Sequence, residues 1–458
     1  MKALLEQLLN DKSILILGYG REGRSTFKIL RKYFPQLNIT IADSDESILT
    51  RQPELLTASV KLQTGNNYLN HLNDFDVIIK SPGISLAKTG LKPDARKITS
   101  QTDLFLRAFS PQITGVTGTK GKSTTASLLH HICQKQHKDI VLLGNIGNPF
   151  FDAVDNLSSR THIVCELSSH QLEYLTKAPH LSILTNIFEE HLDHYPSYEA
   201  YQWAKFQIAL KQTPGDYFLY NSEDARIDAL LKHNSIPGTP IPVYLSTFGA
   251  DGAGILNDNL TIKINQKTQS IIPSMPSTRL LGEHNLRNIY LAAVAAHLSG
   301  ITSDHILEGI ADFHPLEHRL EYCETSGKAH FYNDSISTIP EATLAAMATL
   351  KNVHTLVAGG FDRGIDYENF AKALANSSLK HILLTGPAGR RMSDLMGDKT
   401  KYKAVIQHFD RFDDAVKRAI KLTPAGEICL LSPAASSYDQ FASFEERGRR
   451  FKQLVKQA

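Results

Sequence analysis

The segment Gly115–Thr125, with the sequence GVTGTKGKSTT, constrains the fold of this chain more than any other. Residues 112–116 predict a short buried strand, and the residues from Ser123 onward predict a helix. A glycine-rich turn between a strand and a helix directs backbone N–H groups and the helix dipole at one point, which favours a bound polyphosphate. Lys122 can reach the outer phosphates, and the Ser123 hydroxyl can bind the accompanying magnesium ion. Because Val116 stands where the common P-loop pattern has a glycine, this is a variant phosphate-binding loop.

Length and composition indicate a protein of several domains. The 458 residues exceed what one core accommodates, and about three domains are expected. A formal net charge of +2 lacks the excess of positive charge that is typical of nucleic-acid-binding proteins, and we expect no nucleic-acid partner. No apolar run approaches the roughly 18 residues of a membrane span, and the start, MKALLEQLLNDKS, predicts an amphipathic helix instead of a signal peptide. No membrane association is expected.

The cysteines indicate the compartment. They are widely separated and form no CxxC pattern, which is typical of reduced core thiols in a cytoplasmic protein. The four positions are Cys133, Cys165, Cys323 and Cys429.

A second glycine-rich loop lies near the start of the chain. Residues 13–17 predict a buried strand that leads into GYGREG, a GxGxxG pattern over 18–23, and then a helix to about Tyr33. The next predicted strand, 38–42, ends at Asp43, 20 residues after the last glycine of the pattern. This is the dinucleotide-binding arrangement of tight turn, pyrophosphate approach, helix packing and an acid for a ribose hydroxyl. Taken alone, it predicts NAD.

A further strand over 76–80 leads into Ser81-Pro82-Gly83, at a carboxyl end where open α/β sheets bind ligands. The residues around 100–110 are predicted to form the first linker.

The central part of the chain repeats this pattern of strands that end in polar loops. The predicted strand 141–143 is followed by GNIGNP, 162–166 ends at Glu166, and 181–186 runs into EEHLDH. A predicted helix over 196–210 carries Lys205. Such strands imply one sheet with a site along one edge.

The rest of the chain is predicted to hold a variable region and another α/β domain. Residues 213–277 predict short strands and loops, and GEHNLRN opens a helix that ends near residue 298. A second boundary is expected near 313–317. Beyond it, strands at 328–332, 355–358, 381–384 and 428–431 alternate with helices, and a charged helix starts at Phe444.

The chain resembles the Mur ligases, and within them the branch that adds glutamate to UDP-N-acetylmuramoyl-L-alanine in peptidoglycan synthesis. The similarity covers all of the chain, and the order and spacing of its motifs carry it. These motifs are GYGREG, KSPGIS, VTGTKGKST, GNIG, ELSSHQLE, EEHLDHY, WAKFQ, GEHNLRN, EHRLE, YNDS, GGFDRG and SPAASSYDQFASFEERG.

The resemblance implies a three-domain α/β architecture. Residues 1–110 would be a Rossmann-like domain that binds the UDP-sugar, 111–314 a central P-loop ATPase domain, and 315–458 a Rossmann-like domain that binds glutamate. A uridine diphosphate then replaces NAD at GYGREG. We expect a monomer.

The resemblance also implies an acyl-phosphate mechanism with ATP and two magnesium ions. Lys122, Glu166, His191 and Lys205 are the expected catalytic residues, Lys205 as a carbamate. Carbamylation needs the neutral amine, so burial or nearby cations must lower the pKa of this lysine. The expected magnesium ligands are Ser123, Glu166, His191 and the carbamate of Lys205.

The remaining site residues are implied in the same way. For ATP they are Gly118, Thr119, Lys120, Gly121, Lys122, Ser123, Thr124, Asn285, Asn288, Arg319 and Asp334. For the UDP-sugar they are Gly20, Arg21, Glu22, Gly23, Asp43, Ser81, Gly83 and Asn145. For glutamate they are Arg363, Ser437 and Phe444.

Several of these residues also have a plainer interpretation. Glu166 could cap the following turn, His191 and His194 could be ordinary loop histidines, Lys205 a solvated helix lysine, and Asp334 a helix N-cap.

The glutamate site departs from the common D-glutamate-adding pattern at two positions. Ile336 stands where those enzymes have a lysine in DSKAT, and Arg363 replaces another lysine. Because the planar guanidinium of arginine binds a carboxylate differently from the ammonium group of lysine, we expect the α-carboxylate of glutamate to be bound differently here. With GYGREG and KSPGIS, this pattern is similar to the L-glutamate-adding branch, and we expect L-glutamate in preference to D-glutamate.

Three other functions are compatible with parts of the sequence. An NAD-dependent oxidoreductase could use GYGREG, but it would leave Glu166, His191 and Lys205 without roles. A non-catalytic NTP-binding scaffold would not need Arg319 or Asp334. Ligases similar to folylpolyglutamate synthases share the central loop but lack GYGREG.

Overall fold

The computed structural model describes residues 1–52, 55, 60–91, 93–146, 148–323, 329–398 and 402–457. The chain forms two compact units, one of residues 1–278 and 283–313, the other of residues 279–282 and 314–458. The described strands of the chain form three sheets, of five, nine and six strands.

The first unit begins with a parallel sheet in the order β3-β2-β1-β4-β5. Its strands are β1 Ile14–Leu17, β2 Ile39–Asp43, β3 Val60–Thr64, β4 Val77–Lys80 and β5 Ile98–Thr99. The helices of this part are α1 Lys2–Leu9, α2 Arg21–Tyr33, α3 Ile48–Arg51 and α4 Gln101–Phe109. All four residues of β1 and of β4 are buried, as expected for a parallel sheet covered on both faces. The strands expected over 13–17, 38–42 and 76–80 and the amphipathic first helix are confirmed.

The same unit contains a larger sheet in the order β14-β13-β12-β11-β10-β9-β6-β8-β7. Its strands are β6 Ile113–Thr117, β7 Ile140–Gly144, β8 His162–Glu166, β9 Leu181–Leu184, β10 Tyr217–Asn221, β11 Thr239–Thr247, β12 Gly252–Leu256, β13 Asn259–Ile264 and β14 Lys267–Ile272. The strands from β6 to β12 pair in parallel, and β13 and β14 extend the sheet antiparallel. Because the order places β6 between β9 and β8, the loops that follow these three strands meet at one edge.

The helices around this sheet are α5 Lys122–Gln136, α6 Phe150–Ala153, α7 Ser169–Leu172, α8 Tyr198–Leu210, α9 Ala225–His233, α10 Glu283–Leu298 and α11 Ser303–Asp312. None of the helices in the described ranges is long and apolar enough to cross a membrane.

The second unit is built on a sheet in the order β15-β16-β20-β17-β18-β19, antiparallel only between β15 and β16. Its strands are β15 Glu321–Cys323, β16 His330–Asn333, β17 Val353–Gly359, β18 His381–Thr385, β19 Val405–Phe409 and β20 Ile428–Leu431. Its helices are α12 Pro340–Leu350, α13 Glu368–Ala375, α14 Gly386–Leu395, α15 Phe412–Leu422 and α16 Phe444–Lys456. The α/β class and the four strands expected here are confirmed, although residue 328 of the first lies outside the described residues.

The segment 100–110, expected to be a linker, contains helix α4, so this expectation is wrong. The Ser100 hydroxyl caps the first turn of the helix by accepting the N–H of Asp103. The segment is helical because Leu104 and Phe105 are fully buried, the latter with its ring stacked 4.8 Å from that of Phe150.

The region 213–277, expected to hold only short strands and loops, also contains helix α9. Asp224 caps this helix by accepting the N–H of Arg226, and Ile227 on the next position is fully buried. The expectation is therefore wrong for this part of the region, because a capped turn and one buried anchor suffice for a short helix.

Candidate functional site

The loop between β6 and α5 has the backbone that a phosphate-binding turn requires. Gly118 has φ +146° and Gly121 has φ +84°, conformations that residues with a side chain rarely adopt. A Cβ atom at Gly118 would lie 1.9 Å from Oγ1 of Thr185, and one at Gly121 would lie 2.5 Å from Oδ1 of Asn288. Both glycines are therefore required by the left-handed backbone and by the close approach of neighbouring side chains.

Two lysine amines converge on this loop. Nζ of Lys122 donates to the carbonyl oxygens of Gly118 and Thr119, each at 2.9 Å. Nζ of Lys205, which extends from α8, donates to the Gly118 oxygen at 2.8 Å, and this side chain is only 1% exposed. Burial, and next the charge of Lys122, lower the pKa of the Lys205 amine well below its ordinary value. The interpretation of Lys205 as a solvated lysine is therefore wrong.

Glu166 ends β8 beside the loop and is 1% exposed. Its Oε1 accepts a 2.7 Å hydrogen bond from Nδ2 of Asn145. Its Oε2 is buried and has no hydrogen-bond partner among the described residues. A buried carboxylate oxygen without a donor is costly, and a cation is the partner that would satisfy it.

His191 lies in the loop after β9, with φ +60° and its Nε2 3.7 Å from Oε2 of Glu190. Burial lowers the pKa of its imidazole, which keeps the ring neutral and able to bind a metal. Within the described ranges, no three His, Cys, Asp or Glu side chains are arranged as a complete metal site.

A cavity of about 380 Å³ joins the two lysines and His191 to the GYGREG loop near the start of the chain. Lys122, His191 and Lys205 line it from the larger sheet, and Arg21 and Glu22 line it from the start of α2. Glu22 accepts a 2.8 Å hydrogen bond from Nε2 of Gln171, which links the start of α2 to α7 beside the larger sheet. The cavity therefore reaches from the GYGREG loop to the phosphate loop inside one compact unit.

The GYGREG loop lines a second cavity, of about 350 Å³. A Cβ at Gly23 would lie 2.0 Å from the Gly18 oxygen, so the last glycine of the pattern permits close helix packing. The Gly18 oxygen also accepts a 2.9 Å hydrogen bond from the Ser81 hydroxyl. The Asp43 carboxylate accepts the N–H of Tyr19 at 2.6 Å, which ties the end of β2 to the loop. The residues lining this cavity include Gly20, Arg21, Glu22, Asp43, Ser81 and Gly83.

The other residues expected to contact ATP in this unit lie in the phosphate loop, in the first turn of α5 or on α10. Nδ2 of Asn288 donates to Oδ1 of Asn285 at 3.2 Å, and both side chains are nearly buried. The Thr119 hydroxyl lies 2.8 Å from the Tyr201 hydroxyl. Nζ of Lys120 lies 2.6 Å from Oε1 of Glu190. Ser123 and Thr124 lie in the first turn of α5, with Thr124 buried.

In the second unit, Asp334 follows β16 and is 3% exposed. Its carboxylate accepts hydrogen bonds from the N–H of Leu320 at 3.2 Å and from the Ser432 hydroxyl at 2.8 Å. Burial raises the pKa of this carboxyl to about 6, and its hydrogen bonds and the charge of Arg319 oppose that shift.

The residues assigned to glutamate also belong to this second unit. Arg363 donates from Nη2 to the Thr338 oxygen at 3.2 Å, which places the guanidinium beside the segment that contains Ile336. Ser437 is buried, and Phe444 opens α16. The Phe444 oxygen accepts a 2.8 Å hydrogen bond from the Ser335 hydroxyl.

Two residues without a role in the sequence predictions are prominent here. Arg447 is 2% exposed, and its guanidinium donates to the Ser335 oxygen at 2.9 Å and to the Ser436 oxygen at 3.1 Å. His170 lines the larger cavity, and burial, followed by the charges of His194 and His191, lowers the pKa of its imidazole to about 4. Both lie inside motifs that carry the family resemblance, SPAASSYDQFASFEERG and ELSSHQLE. Membership in these motifs is the sequence feature that could have identified them as site residues.

Three family models match consecutive segments of the chain. The Mur ligase MurD-like N-terminal domain matches residues 12–99, the Mur ligase middle domain matches residues 116–296, and the Mur ligase glutamate ligase domain matches residues 318–435. The expected three-domain α/β architecture is thereby confirmed.

Similar proteins match along nearly the whole length. A UDP-N-acetylmuramoylalanine–D-glutamate ligase of Desulfitobacterium hafniense is 33% identical over an alignment of 465 positions, which covers 98% of each chain. One of Thermoanaerobacter sp. is 31% identical over 452 residues, again with 98% of each chain covered. The solved structure of the UDP-N-acetylmuramate–alanine ligase MurC from Thermotoga maritima is similar with a TM-score of 0.56 at 18% identity, covering 96% of this chain and 98% of that one.

Proposed function

This chain belongs to the Mur ligase family and is of the MurD type, and on that premise we propose the reaction that it catalyses. The family makes it an ATP-dependent, ADP-forming ligase of peptidoglycan synthesis. The proposed substrates are UDP-N-acetylmuramoyl-L-alanine and glutamate. We further propose that it works as a monomer in the cytoplasm, in keeping with its four free, buried cysteines.

One observation carries the proposal: the 380 Å³ cavity connects the GYGREG loop with the phosphate loop. A ligase of this kind has to bring a carboxylate, at the end of a long sugar nucleotide, up to the outer phosphate of ATP. Arg21, which lines the cavity from the GYGREG loop, can neutralise a diphosphate, and Lys122, which lines it from the phosphate loop, can hold a transferring phosphoryl group. Alignment of this kind provides most of the catalysis in phosphoryl transfer.

The proposed reaction has two steps. Transfer of the outer phosphoryl group of ATP to the alanyl carboxylate gives an acyl phosphate and ADP. The amine of glutamate then attacks the acyl carbon, forms the amide and releases phosphate. Lys122 and the backbone N–H groups at the start of α5 neutralise charge during the first step.

The donor groups around the phosphate loop fit magnesium. Ser123, Glu166 and His191 would hold it, and the buried, unpartnered Oε2 of Glu166 within the described part of the chain supports this assignment. When bound, magnesium neutralises phosphate charge and orients the phosphoryl group. We propose two such ions.

The buried amine of Lys205 supports a carbamate at this position. Its lowered pKa favours the neutral form, which is the form that reacts with carbon dioxide. The carbamate would supply an anionic oxygen ligand for the second ion, while its remaining N–H could keep the hydrogen bond to Gly118.

Four further residues are proposed to contact ATP. They are Asn285 and Asn288 of α10, which are hydrogen-bonded to each other, together with Arg319 and Asp334. Asn145 would contact the sugar nucleotide substrate in addition to orienting Glu166.

The proposed function is tested by phosphate release from ATP with magnesium, glutamate and UDP-N-acetylmuramoyl-L-alanine. We expect release only when all components are present, with an amide product.

The NAD-dependent oxidoreductase considered from GYGREG has no support among the relatives. Calorimetry on the whole chain can compare the binding of NADH with that of UDP-N-acetylmuramoyl-L-alanine. Tighter binding of NADH would overturn the assignment of the GYGREG loop to the sugar nucleotide.

We propose L-glutamate as the amino-acid substrate, although the relatives named above are D-glutamate ligases. The two enantiomers carry the same charges, so only the placement of the α-carboxylate relative to a side-chain anchor separates them. Ser437 and Phe444 are the proposed anchor. Ile336 offers no charge to the α-carboxylate, whereas the fork of Arg363, held beside residue 338, can bind it from another direction.

We expect a higher kcat/KM with L-glutamate than with D-glutamate, by roughly tenfold to hundredfold, because an unpaired buried carboxylate costs on the order of 1–3 kcal/mol. The double variant Ile336→Lys with Arg363→Lys should lose much of this preference, and the two single variants are its controls. Parallel assays with each enantiomer measure the ratio. A clear preference of the unmodified chain for D-glutamate would contradict the proposal.

A further inference from the structure

The side chain of His191 is only partly buried. Its backbone has φ +60°, in the left-handed region, and its side chain is 42% exposed. Among the described residues, two aromatic rings lie near its imidazole. The ring centroid of His170 is 4.8 Å away at an angle of 65°, and that of Tyr201 is 6.0 Å away. His170 is therefore the closer of the two supports.

His170, in contrast, is held by rings on its other sides. The His194 ring lies 4.0 Å from it at an angle of 60°, and the Tyr195 ring lies parallel to it at 5.6 Å. Its Nε2 is buried and has no hydrogen-bond partner among the described residues. Its contacts with these neighbours are therefore made by the faces and edges of a planar ring.

One of the rings behind His170, that of His194, is anchored by a largely buried ion pair. Nε2 of His194 lies 2.6 Å from Oε1 of Glu173, and Oε2 of Glu173 lies 3.1 Å from Nζ of Lys80. The Lys80 side chain is 2% exposed, and the Ser85 hydroxyl donates to the His194 oxygen at 2.6 Å. Because each partner is fixed by the next, the ring of His170 rests on a rigid base.

We propose that His170 is a positioning residue whose planar ring fixes the orientation of the His191 imidazole in the cavity. The inference rests on the proposed function, since it is the ligand role of His191 that makes its orientation matter. A ligand whose ring is free to rotate is misplaced much of the time, and small misplacements are costly in catalysis. Shape, and not the nitrogen atoms, is what His170 contributes.

The test compares three replacements of His170. His170→Ala removes the ring, His170→Leu keeps apolar volume without a planar face, and His170→Phe restores a flat ring without nitrogen. His162→Ala is the matched control, because His162 begins the same strand as Glu166 but its ring stacks on His137 instead. Thermal unfolding checks that every variant is folded.

The first measurement is Mn²⁺ binding in the presence of ADP, followed by electron paramagnetic resonance, which needs no turnover. We expect affinity to fall on the order of tenfold in His170→Ala and His170→Leu, and to stay within about twofold in His170→Phe and His162→Ala. In the ligase assay, kcat should fall in the first two variants with the KM for the sugar nucleotide unchanged.

The outcomes separate this inference from the proposed function. Equal Mn²⁺ affinity in all variants, or a loss in His170→Phe as large as in His170→Ala, would overturn the positioning role. If the wild type lacks ligase activity but Mn²⁺ binding still depends on a planar ring at this position, the proposed function falls and the positioning role stands.

Discussion

Replacing Lys122 by alanine is expected to lower the rate of phosphate release by about 10²- to 10³-fold while the chain stays folded. Its amine contacts two carbonyl oxygens of the phosphate loop and lines the cavity, so it is placed to follow a phosphoryl group during transfer. Loss of one such preorganised donor typically raises the barrier by about 2.7–4 kcal/mol. The measurement is single-turnover phosphate release with saturating ATP and magnesium.

The matched control is Lys138→Ala, two residues beyond the end of α5, the helix that Lys122 begins. The Lys138 residue is exposed and belongs to none of the proposed sites, so its removal should leave the rate unchanged. Thermal unfolding separates catalysis from folding, since the two hydrogen bonds of Lys122 contribute only about 1 kcal/mol each to stability. Wild-type release in Lys122→Ala would refute the assignment of this loop.

Replacing Lys205 by alanine is expected to lower activity at least on the order of 100-fold, with partial recovery when acetate or formate is added. A small carboxylate can enter the space left by the side chain and stand in for the carbamate. Wild-type enzyme prepared without bicarbonate should likewise lose activity and regain it when bicarbonate is restored. A ¹³C NMR signal from ¹³C-labelled carbon dioxide on the protein, absent in Lys205→Ala, reports the carbamate independently of turnover.

Lys211→Ala is the control for this experiment, because this lysine caps the C-terminus of α8, the same helix that carries Lys205. It should retain full activity with no response to carboxylates. Full activity in Lys205→Arg would mean that a positive charge suffices, and the carbamate proposal would then be wrong.

Most of the secondary structure near the site could be predicted from the sequence. The strands β1, β6 and β8 are short, contain aliphatic or β-branched residues, and are followed by glycine or polar loops, so their local pattern is decisive. The prediction of a linker at 100–110 is wrong because the structure of this segment depends on distant contacts instead of its local sequence. Helix α4 depends on the burial of Leu104 and Phe105 against distant residues such as Phe150, and no local pattern carries that information.

The candidate site shows the same division. Lys122 is identified by its position in a glycine-rich loop, and Glu166 by its place at the end of a strand. Lys205 is identified only through the family resemblance, because its burial depends on how α8 packs against the loop after β6. His170 escapes prediction although its motif is recognised, since its significance comes from ring contacts with residues more than 20 positions away in sequence.

The hydrogen-bonded chain of Lys80, Glu173 and His194 also constrains how this protein can change over evolutionary time. A largely buried carboxylate left without any partner costs on the order of 3–5 kcal/mol, a large part of the stability of an ordinary domain. A mutation that removes one of the two partners is tolerated only while the other remains to bind the carboxylate. Descendants that keep an acid at position 173 should therefore keep a base at position 80, at position 194 or at both, and the three positions should vary together.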